Sequence, residues 1–222
     1  TGMTSGTDAA GGGHAHTGMM IYLGDNWPAE YRGNVFTLNL HGLRMNQESL
    51  HRQGAGYEGK HAADFMSTSD KWFRGIELSY APDGSVYVLD WSDIGECHDN
   101  DGIHRTSGRI YRISYGKTEA AKVDLTKWSN EDLAESVGSP NEWYSRQARQ
   151  LIQQRAAAGQ DLTKAALKLM NTYRLTSSTP TALRAMWTLN AIGSADEDWL
   201  LEQSNDEREH IRTWAIKLLC DQ

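Results

Sequence analysis

From Gly18 to Gly116 apolar and polar residues alternate in short runs; from about Lys122 onward the apolar residues recur every three or four positions. Period two predicts strands and the longer period predicts helices. The predicted strands are Met19 to Leu23, Asn34 to Leu40, Arg74 to Tyr80, Ser85 to Trp91 and Arg109 to Tyr115, punctuated by Gly, Asp, Asn and Pro. One strand recurs: Gly33 to Leu40 aligns with Gly84 to Trp91 at an offset of 51 residues, pairing Val35 with Val86, Phe36 with Tyr87, Leu38 with Leu89 and Asn39 with Asp90. A repeat of that length in a β-rich chain predicts propeller blades. Two copies make about two blades, whereas a ring closes with at least about four. The expectation is therefore a piece of a longer protein, with a meander that repeats once as the other reading.

In the second half, Ser129 with Asp132, Ser139 with Glu142, and Ser204 with Glu207 have the spacing of helix starts, and Thr179-Pro180 is a fourth start signal. They predict helices over about 130–137, 141–158, 161–174, 180–192, 196–203 and 207–220. Short connections make neighbouring helices antiparallel, and Ala148, Ala185 and Ala215 recur at 30- to 37-residue spacing, as in HEAT-type helix pairs. A plain helical bundle is the alternative. The expected fold is thus multidomain β + α: a partial β-propeller of about two blades followed by a HEAT-like α-solenoid. Its boundaries are a flexible lead-in at 1–13, blades at 14–116, a linker at 117–128 and helical repeats at 129–222.

Composition narrows the partners. The net charge of −7, with no Lys/Arg cluster, argues against a nucleic-acid surface. No apolar run approaches the roughly 18 residues a membrane helix needs. The two cysteines, Cys97 and Cys220, lie in dissimilar regions, which argues against a disulfide framework.

A long ordered string of motifs then accumulates: HAH at 14–16, MIYLGDNWP at 20–28, YRGNVF at 31–36, LHGLRMN at 40–46, DKWFRG at 70–75 and PDGSVYVLDWSD at 82–93. CH at 97–98, HRTSGRIYRISYG at 104–116 and NEWYSRQARQLI at 141–152 complete it. The string resembles the planctomycete-type membrane-bound dehydrogenase domain proteins, which are similar to glucose/sorbosone dehydrogenases. The resemblance implies a pyrroloquinoline quinone (PQQ) propeller with Ca2+, then HEAT repeats and a c-type haem domain elsewhere in the full-length protein. It also implies an extracytoplasmic, membrane-associated location. The catalytic base would precede Thr1. The haem motif C-x-x-C-H is absent from this chain, since Cys97-His98 has no cysteine three residues before it and Cys220 is followed by Asp221.

Several residues are candidates for chemistry. His14 and His16, spaced i, i+2, point the same way in an extended segment and suit a shared metal or an anionic ligand; two ordinary loop histidines are the other reading. His41 and Arg44 follow a strand end, where Arg matches a quinone carboxylate bidentately; an exposed turn is the alternative. Trp72 beside Arg74 can stack a sugar or a planar cofactor, while Phe73 reads as core. Asp90 and Asp93 flank the second repeat strand, as backbone caps or as ligands for a hard cation. His104 and Arg105 close the 15-residue insertion Asp93 to Ser107, which the first repeat copy lacks. Within it, an EF-hand register with Gly102 at position 6 would put Cys97 at position 1, so that motif fails. Trp143, Trp187 and Trp214 read as inter-helix core, and Arg146, Arg149 and Arg184 as a solvated or salt-bridged face.

The expected function is oxidation of a sugar or other alcohol with electrons passing to a quinone or haem. The competing reading is a non-catalytic scaffold whose propeller part binds carbohydrate or protein and whose helical array docks a protein partner.

Overall fold

The structure, a computed structural model, describes residues 15–94 and 106–221. The chain divides into two compact units, Thr1–Ala121 and Lys122–Gln222.

In the first unit, β1 (His16–Ile21), β2 (Val35–Asn39), β3 (Arg44–Gln53) and β4 (Gly56–His61) form an antiparallel sheet in that order, with β5 (Met66–Ser67) also pairing β3. A second sheet has the order β6 (Gly75–Tyr80), β7 (Val86–Asp90) and β8 (Arg109–Ile113), again antiparallel. The two copies of the repeated strand are β2 and β7, each an inner strand of its sheet. Their alternation is the cause of their placement: Phe36 and Leu38 are fully buried, as is Val86, and Val88 nearly so.

Packed around Phe36 is an aromatic cluster in which Trp27 stacks on Tyr22 at 4.6 Å and on Phe65 at 4.4 Å. Tyr22 ties it to the turn before β7. Its hydroxyl accepts from the N–H groups of Asn26 (3.0 Å) and Trp27 (2.8 Å) and donates to the Gly84 carbonyl at 2.8 Å. Gly84 must be glycine there, because its φ is 73° and a Cβ would sit 2.5 Å from the Asn26 nitrogen.

The second unit holds six helices among the described residues: α1 (Asn130–Ser136), α2 (Glu142–Ala157), α3 (Thr163–Leu175), α4 (Thr179–Ala191), α5 (Glu197–Gln203) and α6 (Glu209–Cys220). Ser129 caps α1 as its spacing predicts, accepting from Asp132 N at 3.0 Å. The other starts shift. Asn141 caps α2, Ser178 caps α4, and Ser204 Oγ turns back to the Leu201 carbonyl, leaving α6 to begin at Glu209. One continuous core runs through all six helices, with Leu133, Ile152, Leu169, Met186, Leu189, Leu200 and Ile211 fully buried. α2 packs on α4 and α4 on α6.

These elements overturn the expected fold class. The chain is not a partial propeller followed by a HEAT-like solenoid but an α/β arrangement, with two antiparallel sheets and six helices among the described residues and neither sheet closed there. The repeated strand is real, yet it sits in sheets of five and three strands, so the repeat does not extend to a whole blade. The helices are likewise unequal, from seven residues in α1 and α5 to sixteen in α2, around one shared core.

The α5–α6 connection carries a pH dependence. Asp206 accepts from Arg208 through its backbone N (2.8 Å), Nε (2.9 Å) and Nη2 (2.8 Å), and these bonds hold its pKa down to about 2 from an ordinary 3.8. A carboxylate depressed in the folded state stabilises fully above its unfolded pKa and loses that contribution as pH falls through the folded one. Unfolding free energy should therefore drop by about 2 kcal/mol between roughly pH 5 and pH 1, and Asp206→Asn should remove this part of the acid slope in urea titrations.

Candidate functional site at the strand ends

The repeated strands end alike. Asn39 closes β2 opposite Arg44 of β3, and Asp90 closes β7 opposite Arg109 of β8. The rows continue to His16 on one sheet and Gly75 on the other. Thr17 Oγ1 donates to the Gly75 carbonyl at 2.7 Å, which joins the two strand ends.

At the second sheet a charged floor is built from three elements. Asp90 has a fully buried side chain; its Oδ1 accepts from Arg74 N (2.8 Å) and Ser92 N (2.9 Å), and its Oδ2 accepts from Arg109 Nε at 2.7 Å. The bond to Ser92 holds that residue in the left-handed region, at φ 56°. Arg109 then reaches Asp70 through Nη1 at 2.6 Å, and Asp70 Oδ1 caps the turn by accepting from Trp72 N at 2.9 Å. The Trp72 N–H first, and the Arg109 guanidinium second, hold the Asp70 carboxyl below the usual carboxylate range. Burial would lower the Arg109 pKa, but bonds to Asp70 and Asp90 outweigh it and raise it. Asp70, Trp72, Ser92, Ser107 and Arg109 line an open cleft of about 330 Å³.

The sequence-predicted residues divide. Trp72 lines this cleft. Arg74 lies beside it, but its guanidinium donates to the carbonyls of Lys71 (3.0 Å), Phe73 (2.8 Å) and Ile94 (3.1 Å) and so fixes the backbone. Asp90 takes the capping alternative. Asp93 donates its N–H to the Trp72 carbonyl at 3.0 Å. His16 and Arg44 belong to the first sheet's end, where His16 Nδ1 lies 3.2 Å from Thr37 Oγ1 and Arg44 pairs with Asp64 at 2.8 Å; His41 sits in the turn between them. His14, His104 and Arg105 lie outside the described residues, as does most of the insertion.

The PQQ and Ca2+ implied by the resemblance do not fit the described donors. A cation at Asp90 would have to displace backbone N–H groups and face the Arg109 guanidinium. Among the described residues no group of three or more His, Cys, Asp or Glu side chains gathers as a metal site. Arg44, expected to hold a quinone carboxylate, is bound to Asp64, and Arg74, expected to help stack a planar cofactor, is bound to backbone carbonyls.

Sequence reasoning missed Asp70, Ser92, Ser107 and Arg109. A signal existed for Arg109: it opens a strand after the residue that ends the previous one, so antiparallel pairing sets it opposite Asp90.

Residues 2–117, just over half of the chain, match the family model of a domain of unknown function, DUF7133. The chain belongs to the DUF7133 family. The cleft thus lies wholly within the DUF7133 segment. No curated protein and no solved structure matches the chain.

Proposed function

We propose that the DUF7133 unit is a binding module for a sugar or polyol, held in the cleft between Trp72 and the Asp70–Arg109 pair. The observation that carries this reading is the half-exposed Asp70 carboxylate, fixed by Arg109 beside a half-buried tryptophan. A sugar presents apolar C–H faces and vicinal hydroxyls, which suit an aromatic wall and a carboxylate–guanidinium edge. Charge favours a neutral ligand, because Asp70 and Asp90 offset Arg74 and Arg109. It also favours binding over proton abstraction, since a carboxylate held below its ordinary pKa is a weak general base.

Calorimetric titration of the full chain against a panel of mono- and disaccharides and polyols tests this. Binding to at least one member is expected, weakened about tenfold by Trp72→Ala and by Asp70→Asn. No binding across the panel would reject the module. Repeating the titration as a dye-linked assay with added PQQ and Ca2+ separates the competing reading: oxidation of a bound sugar would establish quinone-dependent dehydrogenation in place of simple binding.

A further inference from the structure

In the helical unit a second cleft, of about 410 Å³, is lined by Arg149 and Gln153 of α2, Trp187, Asn190 and Ala191 of α4, and Trp214 and Leu218 of α6. Two donors there are buried without a hydrogen-bond partner: Arg149 Nη1 and Trp187 Nε1. The Arg149 guanidinium lies over the Trp187 ring, 5.6 Å from its centroid, and Trp187 meets Trp214 edge to face at 4.9 Å. Lys217 Nζ, outside the lining, stands 4.7 Å from the Trp214 centroid. The one acidic group facing Arg149 from its own helix is Glu142, and Arg184 of α4 holds it in a buried ion pair. Buried donors without acceptors are costly and uncommon in folded proteins. Here both donors belong to residues in the wall of one cleft.

We infer that this cleft binds an extended peptide through an Asp or Glu side chain that sits between Arg149 and the Trp187 indole N–H, with a neighbouring apolar residue against Trp214 and Leu218. Carboxylate geometry matches a guanidinium, and the aromatic and aliphatic wall suits a hydrophobic neighbour. An extended peptide fits better than a compact acid. The lining crosses three neighbouring helices, a span of about 16–20 Å at 8–10 Å per helix spacing, which is the reach of about five or six extended residues. Asn190 and Gln153 supply amides for the peptide backbone.

The test is selection of a random hexapeptide display library on the full chain, counter-selected on Arg149→Met. Enriched peptides should carry Asp or Glu next to a large apolar residue. A synthesised winner should bind Arg149→Met at least about tenfold more weakly. Its carboxamide counterpart, Asn or Gln for the acid, should lose as much affinity on the unaltered chain, a measurement that needs no variant to fold. Arg149→Met should keep or raise Tm by about 2–5 °C, since it removes a half-buried charge whose partner is absent until the peptide binds. A fall in Tm would make Arg149 a structural residue and reject the site. So would a library without enrichment, or equal binding of the carboxamide peptide. Hexanoate binding as tightly as the peptide would reject the peptide assignment in favour of a small acid.

Discussion

Asp90→Ala is expected to destabilise the β unit by about 3–5 kcal/mol, read as a shifted urea midpoint. The side chain is fully buried, and three hydrogen bonds and an ion pair converge on two oxygens. Truncation leaves the Arg74 and Ser92 N–H groups without their acceptor and leaves Arg109 with only Asp70. It also releases Ser92 from the bond that holds its left-handed backbone. Asp90→Asn separates these contributions. The amide oxygen still accepts from the backbone, while its NH2 group opposes Arg109, so a loss of about 1–3 kcal/mol is expected. A loss below about 1 kcal/mol for Asp90→Ala would mean that Arg109 and the turn are held by other contacts.

The same residue shows what the sequence made legible. Asp90 shares its strand face with Val86 and Val88, and all three are buried. Alternation of this kind marks the central strands, and apolar stripes at helical spacing mark the helices. The β3–β4 hairpin carries no such signal. Residues 50–60 are exposed along both strands, so the segment has no buried face and gives no period-two signal. Without that hairpin, the first sheet looks like a copy of the second, and the repeat in β2 and β7 reads as whole blades. One repeated strand fixes one strand; the number of its neighbours is set by pairing that polar segments conceal.

Arginine chemistry was legible to a smaller degree still, because it depends on partners distant in sequence. Arg44, Arg74 and Arg109 all stand near strand ends, yet one pairs with Asp64, one binds three backbone carbonyls and one bridges two carboxylates. On α2 the local spacing is misleading. Glu142 and Arg146 are four apart and would pair on an isolated helix, but Glu142 turns inward to Arg184 on α4. That choice is what leaves Arg149 without a local acid and makes its cleft a place for an outside carboxylate.

Arg184→Met is therefore the sharper perturbation of the helical unit, with an expected loss of about 3–5 kcal/mol. The Arg184 and Glu142 side chains are only 10% and 8% exposed, so removing the guanidinium leaves a buried carboxylate without its ion-pair partner. The guanidinium also donates to the Ser139 carbonyl at 3.3 Å, tying α4 to the turn before α2. Replacing both partners tests whether the cost belongs to the stranded charge or to the pair itself. Glu142→Met with Arg184→Met should recover most of the loss, because two apolar side chains of similar volume need no counter-charge. About 0.5 kcal/mol should remain, since Glu142 also opens α2 and favours its N-terminal dipole. Thermal unfolding of the two single variants and the double variant closes the cycle. If the double variant is as unstable as Arg184→Met alone, the lost bond to Ser139 and the packing of the arginine stem account for the effect, and the ion pair does not.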